Sequence, residues 1–381
     1  MESKGAVLSR VAAIRQGRGV SAAELAKRVG VSRQTIYAIE AGSYVPNTAV
    51  ALRLARELKV SVEELFRLNE ERTAEREAVE AVVLARGGTK AGRPMTLARV
   101  RQQWVAAPAE SVPYYLAEAD GLVRRTRTSR TTVELVEPAA ELAERVVIAG
   151  CDPGIGLLAR MAERLAGVQV VTAPASSRQA LEWMKAGLVH IAGSHLEDPE
   201  TGEFNVPWVR RLMPREDVVV VTFARWEEGL VVARGNPLGI RDVSDLVRPK
   251  VRLINREPGS GSRALLERLL KAAGVGLKKV SGFEQMASGH LEAAQSVARG
   301  AADCCVATSA AARAFDLSFI PIRGERFDFV VRREVVDTPA VRGVLEALQR
   351  AALRRKLEAL AGYDTAETGR VVDVRRVETI G

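Results

Sequence analysis

The chain has 381 residues, 47% of them hydrophobic and 27% charged, enough for two or three domains with cores of their own. No run approaches the roughly 18 uninterrupted apolar residues of a membrane span, and the charged opening MESKGAVLSRVAAIRQ is not expected to be a secretory leader. Cys151, Cys304 and Cys305 are too few for a disulfide scaffold, and no Cys or His pair has zinc-ligand spacing, so a cytoplasmic protein without metal or cofactor is expected.

The net charge of +9 is uneven: residues 1–130 hold 22 Lys or Arg against 14 Asp or Glu, whereas residues 131–381 hold 34 against 33. A basic front with a neutral rear points to a polyanionic partner for the front alone, although a merely solvated basic surface has the same composition.

Leu8, Val11 and Ile14 predict one side of a short helix ending at Gln16-Gly17. Ser21 with Glu24 is a capping box; Leu25 and Val29 follow as the apolar face, and Gly30 makes the turn. Ser32 caps a third helix, SRQTIYAIE, with Ile36 and Ile39 inward and Gly42 at its end. A further helix after Thr48 carries Leu52, Ala55 and Leu58, and Ser61 with Glu64 repeats the capping box before Leu65 and Phe66. Two short helices joined by a Gly turn, the second opened by Ser, form a helix-turn-helix. Inward Ile36 and Ile39 leave Arg33, Gln34, Tyr37 and Ala38 outward, with Arg33, Gln34 and Thr35 in the first turn, which enters the major groove in this motif. Arg and Gln read guanine and adenine through paired hydrogen bonds.

Residues 6–66 resemble the Cro/repressor (XRE) family, on LAKRVGVSRQTIYAIEAGSYVPN: the Ala-x-x-x-Gly-Val-Ser run, the Ile-x-x-Ile-Glu-x-Gly ending and Pro46. The resemblance implies a homodimer on a two-fold double-stranded DNA operator. It assigns base contacts to Arg33, Gln34, Thr35 and Tyr37, and places Tyr44 and Asn47 near phosphates.

RLNEERTAEREAVEA reads as a charged extension of the last helix. AVVLARGG, RPMTLARVRQQWVAAP and TTVELVEP read as strands, a small β-rich unit serving as a lid or dimer contact. RRTRTSR (124–130) reads as a solvated basic loop, with contact to a DNA backbone as the alternative.

From Val146 strands and helices alternate: RVVIAGCDPGIGLLARMAERLAG, VQVVTAPASSRQALEWMKAG, LVHIAGSHL, VVVVTFARWEEGLVVARGNP and KVRLINREPGSGSRALLERLLKAAG. ADCCVATSAAARAF and LSFIPI continue the series, and a last helix is expected over 339–360. Strand after strand ends in small polar residues before a helix start: Cys151-Asp152-Pro153-Gly154, Ser176-Ser177, Gly193-Ser194-His195 and Gly259-Ser260-Gly261-Ser262-Arg263. Gly and Ser make ordinary turns and caps, but four such loops in succession suggest a cleft where amides, hydroxyls and Arg263 converge on an anion. GSGSR lacks the Lys-Ser/Thr ending of a nucleotide P-loop.

Residues 145–360 resemble the type II periplasmic-binding-protein fold, in particular the molybdate- and tungstate-related branch fused to DNA-binding domains. AGCDPGIGLLA, HIAGSHL, NREPGSGSRALLERLL, SGHLEAAQSVARGAADCCVAT and ERFDFVV carry it. The resemblance implies two lobes that close on a ligand at crossovers near 225–235 and 320–332, with molybdate or tungstate as the model effector.

His195 and His290 are candidate ligand donors, each weighed against an ordinary loop or helix-start histidine. Asp152 would repel an anion and reads as a cap, or as the mark of a ligand with a positive group; Cys304-Cys305 reads as core, and Cys151 as a thiol with nothing nearby to activate it. No catalytic constellation or metal cluster stands out. The expected architecture is multidomain: an all-α helix-turn-helix head (1–68), a helical linker with a small β-rich unit (69–144), and a two-lobed α/β ligand-binding domain (145–381). The expected function is a one-component transcription regulator sensing a small anion through Asp152, Pro153, Ser176, Ser177, Ser194, His195, Ser260, Gly261, Ser262, Arg263 and His290. The alternatives are an enzyme using the same cleft, with His195, His290 or Asp152 as acid or base, and a ligand-free dimerisation scaffold.

Overall fold

A computed structural model describes residues 7–68, 77–85, 88–110, 116–127 and 130–374. The chain divides into two compact units, Met1–Glu77 and Ala78–Gly381.

The first unit opens with a short strand, β1 (Val7–Ser9), followed by α1 (Val11–Gly17), α2 (Ala22–Val29), α3 (Arg33–Glu40), α4 (Thr48–Glu57), α5 (Val62–Leu65) and β2 (Phe66–Leu68). β1 and β2 pair antiparallel, so Leu8 lies on a strand and is 43% exposed; the helix expected there starts at Val11. The same pairing ends the helical run at Leu65, against the expected extension beyond it; residues 69–76 of that segment lie outside the described residues. Val11, Leu25, Val29, Ile36, Ile39, Leu54, Leu58 and Leu65 form the core. Leu52 is 56% exposed: on α4 the inward stripe runs through Val50, Ala51, Leu54 and Ala55, which share one side at 3.6 residues per turn. Arg15 on α1 clamps α3 through Glu40 (Nε–Oε1 2.6 Å, Nη2–Oε2 3.1 Å) and also bonds the Val20 carbonyl.

The second unit begins with a closed five-stranded barrel built from β3 (Ala78–Val83), β4 (Pro94–Val100), β5 (Gln103–Pro108), β6 (Gly121–Thr126) and β7 (Thr131–Leu135), in the order β3-β5-β4-β6-β7. A β4-to-β5 turn at Arg101-Gln102 divides the single expected strand in two, and Arg124 and Arg125 lie on β6 rather than in a loop; residues 128 and 129 of that run are outside the described residues. α6 (Ala139–Leu142) plugs the barrel with Leu142 beside Met95, Leu97 and Val133.

There follow β8 (Val146–Gly150), α7 (Ile155–Ala166), β9 (Val170–Pro174), α8 (Ser177–Lys185), β10 (Ile191–Ser194), α9 (Val206–Leu212) and β11 (Val218–Val232). Next come β12 (Asn255–Arg256), α10 (Gly261–Ala272), β13 (Met286–Ala287), α11 (His290–Ala298), β14 (Cys304–Thr308), α12 (Ser309–Ala314) and β15 (Ser318–Arg332). α13 (Arg333–Val336), α14 (Pro339–Leu348), α15 (Ala351–Lys356) and β16 (Val371–Val374) complete the unit. The expected final helix is interrupted at Gln349-Arg350, and Leu357–Ala361 winds as a π turn.

Val146–Gly150 is apolar throughout because β8 is covered on both faces. Val146 and Ile148 face α7 and α14, whereas Val147 and Ala149 face α8 and barrel residues such as Val105. The sheet order is β14-β11-β15-β10-β8-β9, with β16 on β11. β11 and β15 are 15 residues each and pair antiparallel along their length, with LSFIPI forming the start of β15. Their first and second halves serve different lobes. Val218–Thr222 sits against Asp328–Arg332 and β16 in the lobe holding β8–β10, and Gly229–Val232 sits against β14 in the other. Register shifts at Thr222/Ala224 and Glu228/Gly229 bend the ribbon between the lobes, as bulges do. Cys304 and Cys305 are buried on β14, as expected for core thiols.

Candidate functional site

In the helix-turn-helix, Gly30 takes φ 76° and ends α2 in the left-handed conformation that a Cβ would strain. Ser32 then caps α3: its Oγ accepts from Thr35 N (3.0 Å) and bonds Thr35 Oγ1 (2.8 Å). The outward face carries exposed Arg33 and Gln34, and Tyr37, whose hydroxyl accepts from Arg33 Nη2 at 2.8 Å. Arg33 and Tyr37 thus hold each other until another acceptor competes. Thr35 is half-buried and tied to the cap, and the Asn47 side chain accepts from Val50 N to start α4, whereas Tyr44 is exposed.

The second site lies between the lobes of the other unit. Cys151 follows β8, His195 follows β10, and His290 is the first residue of α11. The first two belong to one lobe and the third to the other. Cys151 Sγ stands 3.6 Å from His195 Nε2 and 3.7 Å from His290 Nε2, although these pairs are 44 and 139 residues apart in sequence. The thiol that the sequence left without an activating neighbour therefore has two, and metal-ligating side chains do cluster. His195 Nδ1 lies 3.4 Å from Glu325 Oε2, and its ring packs against Trp226 and Phe327. Gly261, at the start of α10, lies against His195: a Cβ there would sit 2.5 Å from His195 Cε1 and 2.8 Å from its carbonyl oxygen. Only glycine lets that helix start approach so closely.

The electrostatics follow from burial. Burial opposes protonation of His195, but Cys151, Glu325 and Glu228 hold its pKa well above the usual imidazole value. Burial, with the charges of Arg256 and His195, pushes His290 well below it. Glu228 is raised to about 7 by burial and by the neighbouring Glu325 charge. Asp152 is raised to about 6 by burial, against the pull of hydrogen bonds from Gly154 N and the Tyr363 hydroxyl. The bond from Gly154 closes a turn before α7, whose N-cap is Gly154 without a side-chain cap, so Asp152 does not take the expected helix-cap role.

The remaining expected residues divide. Ser176 and Ser260 spend their oxygens as N-caps of α8 and α10, and Ser177 Oγ accepts from His195 N at 3.1 Å. Pro153 lines a groove of about 280 Å³ that runs between the lobes past Thr172, Pro174 and Ser288 to Cys151 and His290. Arg263 does not reach the cluster; its guanidinium pairs with Glu267 (2.8 Å) and covers Phe283. The buried guanidinium that sequence reading missed is Arg256, paired with Glu257 at 2.9 Å. Glu228, Glu325 and Trp226 were missed as well; the charged residues amid apolar strand runs were the available signal. Ser194 Oγ, Arg256 Nη1 and His290 Nδ1 are buried without a hydrogen-bond partner, and the buried Ser262 hydroxyl faces the Glu228 carboxylate. The lobes meet directly: Arg178 N donates to Gly259 O at 3.3 Å, and Glu197 binds both Arg268 and Arg323.

A family model described as a PBP superfamily domain matches residues 158–349, half of the chain. The chain belongs to the PBP superfamily. The PBP domain is preceded by a match to a helix-turn-helix model over residues 11–65. The uncharacterized protein YvgK of Bacillus subtilis is 33% identical over 227 residues, covering 60% of this chain and 73% of its own length. The HTH-type transcriptional regulator YgzD of the same organism, also uncharacterized, is 40% identical over 63 residues, 16% of this chain and 96% of its own. Two solved structures are similar to part of the chain. The sulfate-binding protein SubI of Mycobacterium tuberculosis is 19% identical with TM-score 0.43, covering 57% of this chain and 85% of its own. An ancestral arginine-binding protein is 17% identical with TM-score 0.38, covering 57% and 98%. The chain is thus a helix-turn-helix DNA-binding regulator fused to a PBP-like ligand-binding domain. Among the described residues no helix is long and apolar enough to cross a membrane.

Proposed function

We propose that the chain is a one-component regulator whose PBP domain senses a small anion, of which molybdate and tungstate are the model cases, and whose head reads a two-fold operator as a homodimer. One observation supports the anion above others: Ser194 Oγ and Arg256 Nη1 are buried donors without acceptors, and His290 Nδ1 joins them in the tautomer that protonates it. Each such group costs about 1–3 kcal/mol when left unpaired, so an acceptor-rich ligand relieves several costs at once. Glu228, whose pKa burial and Glu325 raise to about 7, adds a donor in its neutral form. In this reading Arg33, Gln34, Thr35 and Tyr37 contact bases, while Tyr44 and Asn47 lie near phosphates. Ligand favours closure by no more than its preference for the closed cleft, and closure changes operator affinity to that extent.

The test is a thermal-shift and calorimetric series with molybdate, tungstate, sulfate, phosphate and small carboxylates. It is paired with operator binding on sites selected from random DNA. Stabilisation by at least one anion, with a matching change in operator affinity, is expected; no response to any of them overturns the anion. A second reading, an enzyme, draws support from the series Cys151, His195, Glu325, an arrangement suited to an activated nucleophile. Turnover of a bound ligand on long incubation would favour it, and recovery of the ligand unchanged favours the sensor.

A further inference from the structure

We propose that Cys151, His195 and His290 bind a divalent transition-metal ion of the zinc class, which ties the two lobes of the PBP domain together. The inference rests on the cleft being a ligand site, but not on the ligand being an anion.

The distances carry it. With metal–sulfur and metal–nitrogen bonds of about 2.3 and 2.05 Å and tetrahedral angles, sulfur and nitrogen ligands stand roughly 3.6 Å apart. Cys151 Sγ lies 3.6 Å from one imidazole Nε2 and 3.7 Å from the other, each the separation of a sulfur and a nitrogen that share one metal, and the three residues bring their ligand atoms within 4.8 Å of one another. One sulfur with an Nε2 atom at that range on either side is a three-ligand set that a single cation can share.

The surroundings agree. His195 Nδ1 faces Glu325, the carboxylate support that orients a ligating imidazole and favours protonation at the nitrogen away from the metal. Among the described residues His290 Nδ1 has no hydrogen-bond partner, so nothing opposes the tautomer that leaves Nε2 a ligand. Glu228 and Glu325 cluster with His195, and their carboxylates offset the added positive charge. Thiolate with two imidazoles suits zinc, cobalt or copper better than magnesium or calcium, which prefer oxygen. Three protein ligands leave a fourth position, reached along the groove beside Cys151, where water or an anion completes the shell. Because Cys151 and His195 come from one lobe and His290 from the other, the ion bonds most strongly when the cleft is shut.

The experiment uses the full chain, reduced and stripped with a chelator, and titrated with Co²⁺ under anaerobic conditions. One Co²⁺ per chain is expected, with a near-ultraviolet thiolate-to-cobalt charge-transfer band and the visible bands of a tetrahedral site, both abolished by Zn²⁺. Cys151→Ser removes the charge-transfer band, and His290→Asn weakens Co²⁺ at least tenfold; circular dichroism matching the parent shows that each variant is folded. Should a variant fail to fold, cadmium bound to the parent chain answers instead, since a cadmium–thiolate band that is lost once Cys151 is alkylated identifies the same sulfur. No thiolate band in the parent, or a band unchanged by both substitutions, overturns the proposal. Stabilisation by tungstate without any Co²⁺ band would sink the metal and leave the sensor standing. A Co²⁺ site of the expected kind would support the metal even where no anion binds.

Discussion

The two units solve recognition in opposite ways. On α3 the polar groups are exposed, and Arg33 and Tyr37 satisfy each other at the surface, ready to exchange partners with DNA. Between the lobes the polar groups are buried, and several have no partner. An exposed donor loses little when unoccupied because water replaces the ligand, whereas a buried one loses the bond outright. The head is therefore complete without its target, and the cleft is not. Binding at the head should be read out mainly as affinity and sequence preference, and binding in the cleft as stability as well.

The contrast breaks most severely at Gly261. In Gly261→Val the added carbons meet the His195 ring and its carbonyl oxygen, and the strain of about 1–3 kcal/mol falls on the site. We expect about a hundredfold loss of cleft ligand in calorimetry while operator binding by the ligand-free protein is retained. Equal loss at both sites would mean that the two units are not energetically separable.

An effect of similar size separates buried histidines by role. His190 Nδ1 accepts from Val147 N at 2.9 Å, and burial lowers its pKa to about 4. The unfolded chain takes up a proton near the ordinary value of about 6.5, which the folded chain refuses until about pH 4. The stability this group contributes is present above about pH 6.5 and is lost as pH falls toward 4, by about 3 kcal/mol. His190→Asn keeps the acceptor and removes the titration, so its denaturation midpoint should fall less than the parent's between those pH values. Parallel acid limbs for parent and variant would refute the assignment.

At the head the expected change is of similar size or smaller and confined to DNA. Gln34→Ala should cost about 1–3 kcal/mol at the selected operator and relax preference at one base pair, with melting temperature unchanged. An unaltered footprint would remove Gln34 from the contacts.

How much was legible follows the same division. Ser32, Gly30, Ile36 and Ile39 lie within ten residues of one another, and caps, turn and inward stripe are local properties that spacing reveals. Reading failed where distant pairing overrode local pattern: Leu8 looked helical, but Arg67 opposite it makes it a strand. Arg263 follows the glycines, where an anion-binding arginine is expected, and α10 pairs it with Glu267 one helical turn on. Arg256, hidden beside Glu257, gave no such sign.

The order of residues alone determined that a DNA-reading helix pair stands in front of an alternating strand-and-helix domain, because hydrophobic period, caps and turns act over a few residues. Only the tertiary structure decided that one sulfur and two imidazoles meet. Their approach depends on three strand and helix ends from two lobes arriving at the bend of β11 and β15, and chain separations of 44 and 139 residues carry no local trace of that meeting.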